Sequence, residues 1–323
     1  MIRWFAAVAI TLCCGTGLAC AQQTIVTPRI GLLLAGSAAN ATELAAFRKG
    51  LSENRIDPDR DVELRVRDSL PDGSSDDQTI ALALTPASVL VGSSLREVQT
   101  LRRVAPRTPI VMVAVGDPVG AGLAASLERP GGLVTGLSDF RADYAETRLS
   151  LLSDLLPGRR RFGFLYNPDA PTAKLTQQAA LGRDIDLVPL AARTPAEIDA
   201  VLAKASNSAM DAILVVPFPA SFQRRRVIGE WASGRHLPVM FGYAEFMDLP
   251  DQIGAIASYG TDLLELYRRA AGYAAAILRG AEVAELAIQR PEKGNLVVNL
   301  RVARRLGISI PESILQQADL VMR

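Results

Sequence analysis

Cysteine is nearly missing from this chain, and where the few cysteines stand matters more than their number. All three, Cys13, Cys14 and Cys20, fall in the first 21 residues. That stretch reads as a secretion signal: Arg3 gives a positive start, Trp4–Leu12 an apolar core, and Ala19-Cys20-Ala21 a small-x-small cleavage pattern before Gln22. With the signal removed, the protein has no thiol nucleophile, no cysteine-held metal and no disulfide. Histidine is almost as scarce, since His236 stands alone, which argues against a histidine-cluster metal site and most acid–base relays. Charge of one sign is lacking too. Without Arg3 the basic and acidic residues are equal in number, so no global field attracts nucleic acid or an anionic membrane. Aromatic residues make up 5% of the chain and leave few groups for stacking. No apolar run reaches the roughly 20 residues that a membrane span needs.

What is present is alternation. Length alone suggests two domains, at about 150 residues each. Arg29–Leu34, Ser88–Val91, Ile110–Val115, Phe162–Tyr166 and Ala212–Val216 are short, branched apolar runs, as expected of strands buried on both faces. Between them lie helical patterns with start signals: Ser94 with Glu97, Asp143 with Glu146, Thr194-Pro195 with Glu197, and Asp262 with Glu265. The pattern runs once to Val134-Thr135-Gly136 and then begins again. Strand–helix repetition of this kind predicts two doubly wound, Rossmann-like α/β lobes with a cleft between them.

The central stretch is Val113–Ser138. Gly116-Asp117-Pro118 ends an apolar strand, which places Asp117 at a strand's carboxyl end, where open α/β sheets hold ligands. Asp117 can equally cap the turn after Pro118. Ser93 and Ser94 follow another strand at a helix start, and capping alone accounts for Ser94. Asn167 before Pro168 suits a turn as well as a ligand. Phe218 and Tyr243 stand at loop tips as ligand walls or rim packing, and Tyr259 suits hinge packing. His236 sits at a helix end and is read as structural. Arg159-Arg160-Arg161 and Arg224-Arg225-Arg226 are read as solvated faces, with docking to acidic patches on a permease as the minority alternative.

Five blocks, GDPVGAGLAASLERPGGLVTGLS, FLYNPDAP, FGYAEF, SYGTDLLELYRRAAGYAAAILRGA and LVVNLRVARRLGISIPESIL, together resemble the periplasmic substrate-binding proteins of ABC importers, in the family with tryptophan-binding-like members. The resemblance covers nearly the whole chain after the signal. It implies a type I two-lobed fold, with residues 22–136 and about 259–286 in the first lobe and 137–258 and about 287–323 in the second. It further implies a periplasmic, monomeric, non-enzymatic protein without a cofactor or metal. That protein would close on an amino-acid-like or carboxylated solute and deliver it to a membrane permease. The alternatives are a sensory module for a membrane receptor and a hydrolase using Asp117 or Glu245. Carried over by motif, the binding residues are Ser37, Ser93, Ser94 and Asp117 on the first lobe and Asn167, Phe218, Tyr243 and Ser258 on the second. Asp117 would take an ammonium; Ser93, Ser94 and the helix start a carboxylate. Three features depart from the family pattern: Leu133, a short segment between the second and third strands, and Asp248–Ala257.

Overall fold

The computed structural model describes residues 27–35, 40–69, 77–205, 208–250 and 253–323. The signal segment and Ser37 lie outside them. The first layer set comprises β1 (Arg29–Ala35), α1 (Asn40–Glu53), β2 (Glu63–Ser69), α2 (Asp77–Leu84), β3 (Val89–Gly92), α3 (Leu95–Val104), β4 (Ile110–Met112) and β5 (Val134–Gly136). The second begins with α4 (Asp143–Leu155), β6 (Arg161–Tyr166), α5 (Pro171–Leu181), β7 (Asp186–Ala191) and α6 (Pro195–Lys204). It continues through β8 (Ala212–Val215), α7 (Pro219–Gln223), α8 (Arg225–Ser233), β9 (Val239–Phe241) and β10 (Ala257–Gly260). Then come α9 (Leu263–Leu278), β11 (Asn295–Asn299), α10 (Leu300–Arg305), α11 (Glu312–Gln317) and β12 (Leu320–Met322).

The strands form two sheets, ordered β2-β1-β3-β4-β5 and β12-β11-β10-β9-β8-β6-β7. Every pairing is parallel except β10 with β11. The short apolar runs are the central strands, buried because helices cover both faces. In α1, Phe47 and Leu51 lie on one face and enter the core beside Leu266, Ala270, Ala271 and Ala274 of α9. Small residues let these helices approach closely: a Cβ on Gly50 would stand 2.1 Å from the Arg268 carbonyl oxygen. Thus α9, which follows β10 of the second sheet, belongs to the core of the first.

Sequence patterning misplaced two strands. The run Ile110–Val115 predicts a strand ended by Gly116-Asp117-Pro118, whereas β4 stops at Met112 and Asp117 stands in the irregular segment beyond it. The apolar run Ile253–Ala257 predicts a strand ending before Ser258, whereas β10 is Ala257–Gly260, paired with Asn295–Val298 of β11. The polar SYG residues enter the sheet because β11 pairs with all three, β9 pairs with Ser258, and Arg148 serves the Tyr259 carbonyl. Start signals also differ in outcome. Thr194 and Asp262 cap α6 and α9 as expected, each accepting from the N–H three residues on. Ser94 makes no side-chain cap bond, and its hydroxyl goes to the Glu97 carboxylate. At α4 the N-cap position is Ala142, and Asp143 pairs with Arg141.

Candidate functional site

Since β5 and β10 each run directly into a crossover between the sheets, the carboxyl ends of these two strands lie beside the crossovers. The chain crosses at 137–142, at 261–262 and again after α9. Leu137 bridges Gln289 in parallel, the Ser138 N–H donates to the Gln289 carbonyl at 2.9 Å, and the Gln289 N–H donates to the Gly136 carbonyl at 3.0 Å. Gly136 must be glycine, because its φ is 127° and a Cβ would stand 2.2 Å from the Met112 carbonyl oxygen.

A buried arginine holds the second sheet's edge. Arg148 of α4 is 3% exposed; its Nε donates to the Tyr259 carbonyl at 2.7 Å and its Nη2 to the Gly242 carbonyl at 3.2 Å. Its guanidinium lies 5.3 Å from the centre of the Tyr144 ring. Among the described residues it makes no ion pair, and burial lowers its pKa, partly offset by nearby groups that include Asp139. Gly242 and Gly260 make room: a Cβ on Gly260 would stand 1.8 Å from the Gly242 carbonyl oxygen and 2.8 Å from Arg148 Nη2. Around this knot, the Thr261 hydroxyl donates to the Asp139 carbonyl and meets the Tyr144 hydroxyl, both at 3.1 Å.

The turn after β9 reaches the first crossover and the start of α9. The Tyr243 hydroxyl donates to Asp139 Oδ2 in the first. Burial pushes the Asp139 carboxyl upward against the effect of that bond, and burial with the Asp139 charge pushes the Tyr243 hydroxyl well up. Two residues on, Glu245 Oε1 accepts from the Leu263 and Leu264 N–H groups at 2.9 and 3.2 Å, capping α9 from the second sheet's side. Burial first, then the Asp262 charge, moves the Glu245 carboxyl up to about 7 against these hydrogen bonds.

The first sheet's edge carries acid. Glu97, 1% exposed, receives the Ser69 hydroxyl at 2.7 Å and the Ser94 hydroxyl, with Arg96 alongside at 3.2 Å. Tyr267 of α9 is buried near Glu43, Glu97 and Glu245, with Ser93 as a hydrogen-bond partner, and its hydroxyl is pushed up mainly by burial. Glu97, paired with Arg96, therefore occupies the first turn of α3 beside Ser94.

The sequence-predicted residues divide by accessibility. Ser94, Asn167 and Tyr243 keep exposed surface just past β3, β6 and β9, and Asp117 is exposed in the irregular segment beyond β4. Asp117 Oδ1 accepts the Gly120 N–H at 2.9 Å, and Asn167 Oδ1 accepts the Asp169 N–H at 3.0 Å, so each also orders its own turn. Ser93 is buried and accepts the Ala35 N–H at 2.8 Å. Phe218 lies in the core, and Ser258 is fully buried inside β10 with no partner for its hydroxyl among the described residues. Neither offers surface to a cleft in this conformation. The Arg224–Arg226 triplet is engaged internally: Arg224 pairs with Asp199, Arg225 stacks over Phe222, and Arg226 pairs with Glu230. Asp139, Arg148, Glu97 and Tyr267 are absent from the sequence-derived set. Arg148 did leave a signal, because it stands in register with Tyr144, Leu151 and Leu155 on the buried face of α4.

The family model described as ABC transporter substrate binding protein matches residues 34–322. A tyrosine-binding protein of Clostridioides difficile (strain R20291) is 25% identical over 195 residues, 59% of this chain and 54% of that protein. The chain thus spans about half the length of the curated relative it matches. An ABC domain from Streptococcus pneumoniae, solved in complex with L-Trp, is 25% identical and superposes with a TM-score of 0.79 over 92% of this chain and 100% of that one. A conserved domain protein from Vibrio cholerae O1 biovar El Tor is 28% identical, with a TM-score of 0.80 over the same shares. The two-lobed fold is the type I periplasmic-binding-protein architecture that the sequence implied.

Proposed function

This chain belongs to the family of ABC transporter substrate binding proteins, and on that premise we propose that it binds an amino acid between its lobes outside the cytoplasm and delivers it to a membrane permease. The lobes divide at the crossovers 137–142, 261–262 and the segment after α9. Ligand bridges them and stabilises the closed form, which the permease recognises. A relative named for tyrosine and a neighbour solved with L-Trp support an amino acid as the ligand class. Similar proteins that bind rather than transform support a non-enzymatic role. So does the engagement of Asp117 and Glu245, the candidate acid–base groups, in capping main-chain N–H groups.

The observation that carries the ligand's orientation is the acid at the first lobe's edge. Asp117 is exposed in the segment beyond β4 and makes no ion pair among the described residues, whereas the buried Glu97 is paired with Arg96. The Asp117 charge opposes a carboxylate there and attracts a cation, so the ligand's ammonium faces Asp117 while Asn167 and Tyr243 close over it from the second lobe.

Thermal unfolding with L-tryptophan, L-tyrosine, further amino acids and amine-free counterparts such as indole-3-propionate tests this. An amino acid at 100 times its dissociation constant adds about 2.7 kcal/mol, a rise of several degrees for a chain of this size. The amine-free acids give no rise. A rise with them as well would refute the ammonium assignment, and no rise with any amino acid would refute the ligand class. Asp117→Ala is expected to remove the ligand-induced rise while changing the unliganded midpoint little, since it loses only an exposed turn contact. An undiminished rise in this variant would place the ammonium elsewhere.

A further inference from the structure

The turn between Tyr243 and Glu245, a second-lobe segment, grips the first crossover at Asp139 and the first turn of α9. The two grips differ chemically. Tyr243 donates to Asp139, whereas Glu245 Oε1 accepts two N–H groups, and its Oε2 is enclosed without a partner among the described residues. Rotation of the lobes changes the relation of this turn to the root of α9, because α9 moves with the first-lobe core. We propose that Glu245 is a proton-controlled hinge brace, protonated where it holds α9 and ionised when the cleft opens and water reaches it. The brace rests on the two-lobe closure reading given above.

The surroundings set the sign. The charged group facing Glu245 from the α9 side is Asp262, the helix N-cap, whose charge opposes ionisation. Tyr243 on the same turn and Tyr267 one turn into α9 are neutral, because burial holds both hydroxyls well above their ordinary range. Asp139 lies beyond Tyr243 and is the other carboxyl pushed up by burial. In the braced form the Glu245 carboxyl titrates near 7, against the ordinary 4.5 that full exposure would restore. The braced form therefore binds the proton more tightly. Its advantage is complete below about 4.5 and is lost as pH rises through 7. If opening exposes the carboxyl fully, the braced-to-open ratio falls by about 70-fold between pH 5 and pH 8.

The test uses the full chain with Cys13, Cys14 and Cys20 changed to serine and spin labels at Ser52→Cys and Leu181→Cys, one exposed position on each lobe. The inter-label distance distribution is measured without ligand from pH 5 to pH 8. The open population is expected to grow with pH in this background and to become flat with Glu245→Gln, which keeps the acceptor but not the charge. A flat profile without Glu245→Gln, or an equal slope with it, overturns the brace; in the latter case Asp139→Asn would identify the other carboxyl as the source. Addition of L-tryptophan or L-tyrosine at pH 7 separates the readings. Ligand closure without a pH effect leaves the function and removes the brace; a pH effect without ligand closure does the reverse.

Discussion

Arg148→Met should lower the unfolding free energy by about 3 kcal/mol, since two buried carbonyls lose their donor at once. Methionine fills much of the volume of the arginine stem, so the loss is mainly of hydrogen bonding rather than of packing. The Tyr259 and Gly242 carbonyls lie at the carboxyl ends of β10 and β9, where the next residues turn toward the hinge and no strand neighbour can replace the guanidinium. Burying the guanidinium without an ion pair has its own cost, which its removal recovers, and this keeps the expected effect well below the sum of two charged hydrogen bonds. Denaturant unfolding of the variant checks the figure. A change below about 1 kcal/mol would mean that the carbonyls find other donors and that Arg148 is not the clamp.

Gly260→Ala is expected to cost more than about 3 kcal/mol by overpacking. A Cβ placed 1.8 Å from the Gly242 carbonyl oxygen must separate β10 from the turn after β9, and that movement pulls the same carbonyl away from Arg148. The two substitutions therefore damage one joint. Their combination should cost clearly less than the sum of the single changes, because residues sharing a hydrogen-bond network do not add. Strict additivity in a double-mutant cycle would show that glycine and arginine act independently.

The fold was legible where burial made strands apolar on both faces. RIGLLL, RFGFLY and AILV are buried central strands because nothing else about such runs fits a surface. β10 was displaced in the reading because ASYG carries its strand character in its neighbours, not in its side chains. The candidate site was legible where function and local geometry coincide. Asp117 follows β4 at the end of the sheet where parallel α/β lobes hold ligands, although the strand stops at Met112 and the apolar run to Val115 leaves the sheet before reaching it. Ser258 belongs to the same strand-end pattern, yet the antiparallel pairing with β11 carries β10 past it and buries it. Nor could the sequence show that Glu97 would turn from capping α3 to meeting the Ser94 and Ser69 hydroxyls, since Ser69 is 28 residues away in the chain. Arg148 was visible as a charge in an apolar helical stripe, but the carbonyls it serves come from two other elements.

Small-angle scattering of the chain with and without L-tryptophan or L-tyrosine at saturation tests the central claim most directly. Lobes that close on an amino acid predict a smaller radius of gyration with ligand, a change that Asp117→Ala abolishes at the same ligand concentration. An unchanged radius at ligand concentrations that raise the unfolding midpoint would contradict closure and leave a binding protein of fixed shape.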